Sequence, residues 1–112
     1  MLPYPFVEVV VSVGTWDFAV EAYPDTGFEG GLSIPLGMAR EIVAEAQWSA
    51  VRLADGVERE VPSWPAVLEL EGRRFDVGVV AIGRGSLLGR EVLDLLEICF
   101  HFGREVRLQF RD

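Results

Sequence analysis

The chain has 112 residues, of which half are apolar and a quarter charged, a composition typical of a globular protein. Its 18 acidic and 10 basic residues give a net charge of −8. Because contacts to phosphate need cations, this balance argues against nucleic acids and anionic membranes as partners. The length predicts a single domain, residues 1–112, with an irregular lead-in at residues 1–5.

The sequence also lacks the marks of a membrane protein, a secreted protein or a metalloprotein. No apolar run could span a bilayer and no signal-peptide pattern is present, so we expect a cytoplasmic protein. Cys99 is the only cysteine, which excludes an intramolecular disulfide. Cys99 and His101 would leave a zinc site two ligands short, so no metal is expected. The glycines at 83–89 fit neither nucleotide-binding fingerprint, so no cofactor is expected.

The first half of the chain alternates between apolar and polar residues. Valines at every second position of residues 6–13, followed by a similar pattern at residues 17–23, predict a β-hairpin. Pro24 then breaks the second strand, and a short apolar run follows at residues 32–34. Apolar residues spaced by four predict an amphipathic helix over roughly residues 36–47.

The second half of the chain contains three more predicted hairpins and one more helix. The hairpins are residues 51–62, residues 67–80 and residues 99–110, and the helix is residues 87–96. Asp55-Gly56 forms the tip of the first of these hairpins, and Pro62 and Pro65 are expected to end its second strand. Successive hairpins in so short a chain predict an all-β fold with two short helices, closed into a small barrel.

Asp25-Thr26-Gly27 is the one place where a carboxylate follows an apolar strand at a sharp break. Asp and Gly are common turn residues, so the tripeptide alone favours a tight turn. The chemical alternative is a catalytic aspartate, because two carboxylates that share one proton can activate water and polarise a carbonyl. The tripeptide is a weak signal by itself, and both interpretations stay open at this point.

The surroundings of the tripeptide resemble the retroviral-type aspartic proteases (retropepsins) and their small bacterial relatives with a single Asp-Thr-Gly. One motif is residues 25–35, DTGFEGGLSIP, and the other is residues 87–91, LLGRE. The similar order of elements extends from about residue 6 to residue 110. The resemblance implies a retropepsin-like acid protease β-barrel and an aspartic endopeptidase that hydrolyses peptide or protein substrates.

The resemblance also assigns catalytic roles. Asp25 would match the catalytic aspartate, and Thr26 the threonine whose hydroxyl bonds across to the partner subunit. Gly27 would lie where a substrate backbone approaches closely, which a side chain would obstruct. Since the chain has one such motif and the mechanism needs two aspartates, the resemblance implies a homodimer that pairs Asp25 with Asp25 of the partner subunit.

Further residues would bind substrate or support the site. Phe28 would form the floor of the cleft, and the hairpin at residues 51–62 would match the flap that closes over substrate. Within that flap, the residues expected to contact substrate are Ala54, Asp55 and Gly56. The residues expected to support the catalytic loop are Leu88 and Gly89, which would pack behind it, and Arg90, which would pair with Glu29.

Two other interpretations of the chain remain. Pro24 stands directly before Asp25, where it removes a backbone donor. This favours a catalytically inactive module of the same fold that binds a peptide or mediates dimerisation. The third interpretation is an unrelated small β-barrel in which Asp-Thr-Gly is only a turn.

Overall fold

The computed structural model of the protein describes residues 5–52, 55–102 and 105–110. The described residues form mainly β structure with two short helices, as predicted. The strands are β1 (Val7–Val13), β2 (Trp16–Pro24), β3 (Leu32–Ile34), β4 (Gln47–Arg52), β5 (Glu58–Leu70), β6 (Arg73–Ala81), β7 (Ser86–Leu88), β8 (Leu96–His101) and β9 (Glu105–Phe110). The helices are α1 (Leu36–Ala39) and α2 (Arg90–Leu93). Among the described residues, no helix is long and apolar enough to cross a membrane.

Six of the strands close into a barrel. Their order is β1-β2-β7-β3-β6-β5, and β5 pairs back with β1. Strand β4 pairs with β5 outside this ring, and β8 and β9 form a separate two-stranded sheet. The pairs β2–β7 and β3–β6 are parallel. Because β2 and β7 run in the same direction side by side, the segments that follow them meet at one end of the barrel.

The core of the barrel confirms the alternation expected for the first hairpin. Val7, Val9, Val11 and Val13 are all buried, while Glu8 between them is exposed. The register of β1 with β2 runs without interruption from Val7 opposite Ala22 to Val13 opposite Trp16. A strand with one buried face fixes this register, since a slip by one residue would expose Val7, Val9, Val11 and Val13.

The first predicted helix is much shorter than expected. Helix α1 ends at Ala39, and the chain continues through a turn and an irregular segment to β4. Ile42 is nevertheless buried, and the carbonyl of Ala44 accepts a hydrogen bond from the indole of Trp64 at 3.0 Å. The apolar spacing of residues 36–47 therefore predicted the burial of Ile42 correctly but its helical conformation wrongly, because tertiary contacts hold this segment in another conformation.

The second predicted helix, residues 87–96, is also wrong in its bounds. Residues 86–88 form strand β7, and α2 begins only after Gly89. Leu88 cannot be helical because it pairs with β2 on one side and with Leu32 of β3 on the other. A strand of three residues is too short to show an alternation of apolar and polar residues, and its pairing with β2 and β3 defines it instead.

Strand β5 does not end at its prolines, as the sequence predicted, but continues for 13 residues through both of them. Pro62 pairs with β4 before the ladder to β6 begins at Ser63. Pro65 pairs with β6. On the other side of β5 it has no partner, because the ladder to β4 ends at Ser63 and the ladder to β1 starts only at Val67. Each proline therefore has an open side, where a missing N–H breaks no ladder hydrogen bond.

Gly89 lies where two backbone segments almost touch. It is buried, and a Cβ at this position would collide with the carbonyl oxygen of Gly30 and approach a ring carbon of Phe28 to 2.7 Å. The amide of Gly89 donates to Gly31 at 2.8 Å, which holds the two segments at this separation. Only glycine allows so close an approach.

We expect Gly89→Ala to lower the free energy of unfolding by about 1–3 kcal/mol or more, because the colliding atom is backbone and cannot rotate away. Chemical denaturation measures this loss. Gly85→Ala is the matched control, since its added Cβ would meet nothing within 4 Å. The control should change stability by less than about 0.5 kcal/mol. Equal stability of the two variants would refute the close approach.

Ser33 is a buried polar residue between two apolar neighbours of β3. Its side chain is on the opposite face from Leu32 and Ile34, and the residue is 1% exposed. The hydroxyl accepts a hydrogen bond from the amide of Leu87 at 2.9 Å. Ser33 thus supplies the partner that this amide of β7 requires.

We expect Ser33→Ala to destabilise the protein by about 1–3 kcal/mol, because it leaves the Leu87 amide without its partner. Ser12→Ala changes a half-buried serine of β1 in the same way and should have an effect below about 0.5 kcal/mol. The comparison is made by urea unfolding. Indistinguishable midpoints for the two variants would show that the Ser33 hydroxyl contributes nothing.

Candidate active site

Asp25 follows the last residue of β2 at the end of the barrel where β7 also ends. Its amide donates to the carbonyl of Leu88 at 2.9 Å, and its Oδ1 accepts the amide hydrogen of Gly27 at 2.8 Å. The residue is only partly exposed. No other hydrogen bond to this carboxylate forms among the described residues, so the second oxygen is free to meet water or a ligand.

The two motifs of the sequence lie against each other. Four backbone hydrogen bonds connect them: Asp25 to Leu88, Gly89 to Gly31, Arg90 to Phe28 and Glu91 to Gly30, at 2.8–3.2 Å. Leu88 and Gly89 thus lie behind the Asp-Thr-Gly loop, where they were expected to pack. Asp25 donates the first of these bonds, and the amides of residues 89–91 donate the other three, so neither segment can shift without breaking bonds to the other.

Pro24 ends β2 without disturbing this arrangement. It pairs with Leu88 in the parallel ladder, while the ladder to β1 has already ended at Ala22. Successive amides of a strand point to opposite sides, so the nitrogen of Pro24 faces away from β7 and the amide of Asp25 faces towards it. The missing donor of Pro24 therefore falls outside both ladders, and the bond that holds Asp25 is intact.

The other residues of the loop differ in exposure. Thr26 and Gly27 are exposed beside Asp25, whereas Phe28 is 3% exposed. Phe28 belongs to a small apolar cluster with Val51, Val61 and Val80, apart from the main core. Its ring thus connects the Asp-Thr-Gly loop to the β4–β5 hairpin.

Two depressions meet at Asp25. A cavity of about 220 Å³ is lined by Asp25, Gly27, Phe28, Ser33, Arg52, Ile82 and Leu87. A wider groove of about 750 Å³ is lined by Pro24, Asp25, Thr26, Arg90, Leu93, Asp94, Leu96, Ile98 and Phe100. Phe28 lines the smaller cavity next to Asp25, and its role as the floor of a substrate cleft stays a prediction. Ser33, Ile98 and Phe100 are additional residues that sequence reasoning missed.

Those residues carry little signal in the sequence. Ser33 could have been suspected as the single hydroxyl in an otherwise apolar run, Leu32-Ser33-Ile34. Ile98 and Phe100 carried only the ordinary alternation of a strand, and nothing in that pattern indicates that β8 lies along Asp25.

Strands β4 and β5 pair as a hairpin from Gln47 opposite Ser63 to Arg52 opposite Glu58, and its role as a flap stays a prediction. Arg52 lies opposite Glu58 in the β4–β5 ladder, with an ion pair of 3.5 Å between their exposed side chains. At the tip, Gly56 has φ of +82°, and Oδ1 of Asp55 accepts the amide hydrogen of Val57 at 2.9 Å. Asp55 and Gly56 are exposed, and Ala54 lies outside the described residues. The contacts of all three with substrate stay predictions.

The expected ion pair between Arg90 and Glu29 is not formed. Both side chains are exposed, and no ion pair joins these two described residues. The backbone provides the attachment instead, through the bond of 2.8 Å from the amide of Arg90 to the carbonyl of Phe28. The support of the loop by residue 90 is thus made by its main chain, which leaves the guanidinium available.

Comparison with known proteins gives structural neighbours only. No protein-family model matches the sequence, and no curated protein matches it. The fold is similar to that of an EIAV protease solved in complex with the inhibitor HBY-793. That match has a TM-score of 0.60 and 18% identity, and it covers 82% of this chain and 86% of that chain.

A second solved structure is a foamy viral protease-reverse transcriptase in complex with an RNA/DNA hybrid. It matches with a TM-score of 0.50 and 13% identity over 77% of this chain, but over only 11% of the viral chain. At such identities the likeness concerns the fold alone. Together with the barrel, the flap-like hairpin and the Asp-Thr-Gly loop, these neighbours establish a retropepsin-like fold for this chain.

Proposed function

We propose that the protein is a homodimeric aspartic endopeptidase in which Asp25 acts together with Asp25 of the partner subunit. The observation that carries this proposal is the position of Asp25. Its carboxylate lies at the junction of a cavity and a groove, on a loop fixed to residues 88–91 by backbone hydrogen bonds. The retropepsin-like fold supports the same conclusion.

The chemistry follows from two carboxylates held close together. Like charges at short range cannot both ionise easily, so the pair holds one proton. The ionised carboxylate takes a proton from water as the water oxygen attacks the peptide carbonyl carbon. The protonated carboxyl donates a hydrogen bond to the carbonyl oxygen. The carbon–nitrogen bond then breaks as the nitrogen gains a proton, which gives a free acid and a free amine.

This reaction needs a carboxylate that is held in a fixed position. In a single chain, the amide of Gly27 fixes one oxygen of Asp25, and the bond to Leu88 fixes its main chain. The exposed Thr26 and Gly27 leave room for a second subunit and for a substrate backbone. We place the chain in the small bacterial branch because of the run Phe28-Glu29-Gly30, and we propose a cytoplasmic location from its composition.

A second candidate function is peptide binding or dimerisation without cleavage. One observation favours it: the hydrogen bond from Gly27 to Asp25 is of the kind that aspartate makes in ordinary turns, and Asp55 makes the same bond to Val57. An inactive module would keep the two depressions as binding surfaces. Measurement of cleavage distinguishes the two functions.

We expect Asp25→Asn to abolish peptide cleavage, with a loss of at least about 10²–10⁴-fold in kcat, because an amide cannot accept the proton of water. The side-chain oxygen of the asparagine can still accept the hydrogen bond from the backbone N–H of Gly27, so the fold should be retained. The assay uses a mixed peptide library at about pH 4 to 6, with and without a statine-type inhibitor.

Asp17→Asn makes the same change at the opposite, exposed end of β2 and is the matched control, expected to cleave like the parent protein. Cleavage by Asp25→Asn at the parent rate would disprove the catalytic role. If the parent protein stays monomeric at micromolar concentration with inhibitor present, the paired-aspartate mechanism fails. A dimer that binds peptides and cleaves none of them would establish the second candidate.

A further inference from the structure

We propose that the groove beside Asp25 seats a second copy of this chain, with Phe100 as its apolar anchor and Arg90 paired with Asp94 of the partner subunit. This inference rests on the proposed homodimer and specifies the surface that forms it. The surface, called here the β8 groove, is the groove of about 750 Å³ described above, whose lining includes Asp25, Thr26, Arg90, Asp94, Leu96 and Phe100.

The apolar wall of the β8 groove is not fully covered within one chain. Alternation along β8 places Leu96, Ile98 and Phe100 on one face. Leu96 is 8% exposed and Ile98 half-buried, but Phe100 is 48% exposed. Exposed apolar surface that lines a groove marks a site of protein association.

The charges of the β8 groove are complementary to themselves. Arg90 is the first residue of α2 and Asp94 follows its last residue. Both line the groove, and both are exposed. Within residues 5–52, 55–102 and 105–110, neither side chain forms an ion pair. A two-fold contact brings the same patch together in reversed order, so a cation from one copy faces an anion from the other. This favours an identical chain as the occupant over an unrelated partner.

The position of the β8 groove also fits the requirement of the site. The groove includes Asp25 and Thr26 themselves, so a copy seated there reaches the catalytic loop, which is incomplete without a second carboxylate. The separate cavity lined by Phe28 and Leu87 lies on the other side of Asp25 and stays open for a substrate side chain. One depression would thus serve the partner and the other the substrate.

The experiment is a charge exchange read by sedimentation equilibrium and mass photometry of the whole chain. Arg90→Asp and Asp94→Arg should each raise the dimer dissociation constant by at least about tenfold, because each places like charges opposite each other. The double variant restores the pair in reversed sense and should return close to the parent value. Phe100→Ser should weaken the dimer by a similar factor.

The matched controls lie outside the β8 groove. Arg84→Asp reverses an exposed arginine of the loop before β7, and Val43→Ser changes a side chain that is 96% exposed. Both should leave the dissociation constant unchanged. Circular dichroism and thermal unfolding check that each variant is folded.

The outcomes separate this inference from the proposed activity. A dimer that neither single charge variant weakens, or that the double variant fails to restore, overturns the β8 groove as the interface while the peptidase proposal stands. A dimer that responds as expected but cleaves no peptide supports the groove and removes the activity. A chain that is monomeric at all concentrations with inhibitor present overturns both.

Discussion

The close approach of residues 88–91 to the Asp-Thr-Gly loop is the constraint on which the rest of the site depends. A glycine at 89 lets the two backbones come together, and four backbone hydrogen bonds then hold them there. Because β2 and β7 are parallel, both segments leave the barrel at the same end and meet at once. The carboxylate is thus positioned by main-chain hydrogen bonds rather than by side-chain contacts.

This arrangement also explains the presence of a proline before the candidate catalytic residue. The site needs the amide of residue 25 and makes no use of the amide of residue 24. The same logic applies in β5, where Pro62 and Pro65 occupy positions with an open side. A proline is costly in a strand where its nitrogen faces a ladder partner, and Pro24, Pro62 and Pro65 each have one side without such a partner.

The sequence predicted local features well and long-range pairing poorly. The alternating valines of β1, the turn at Gly56 and the two hairpins built on β5 follow from patterns within a few residues. The three-residue strands β3 and β7 do not, because their neighbours in space define them. The tripeptide at 25–27 became informative only through its resemblance to a family, since the physical partner of that loop lies more than sixty residues later. Neither a sequence pattern nor the family resemblance predicted that β8 lines the groove beside Asp25.

The separate β8–β9 sheet has a consequence for how two chains could come together. All of its backbone pairing is made within one chain, from Leu96 opposite Phe110 to His101 opposite Glu105. The proposed dimer would then need no exchange of strands between subunits, and folding and association would be independent steps. In obligate dimers the two are inseparable, and a folded single subunit does not accumulate. Here a folded subunit would persist after dilution, and protein concentration alone would switch a shared site on and off.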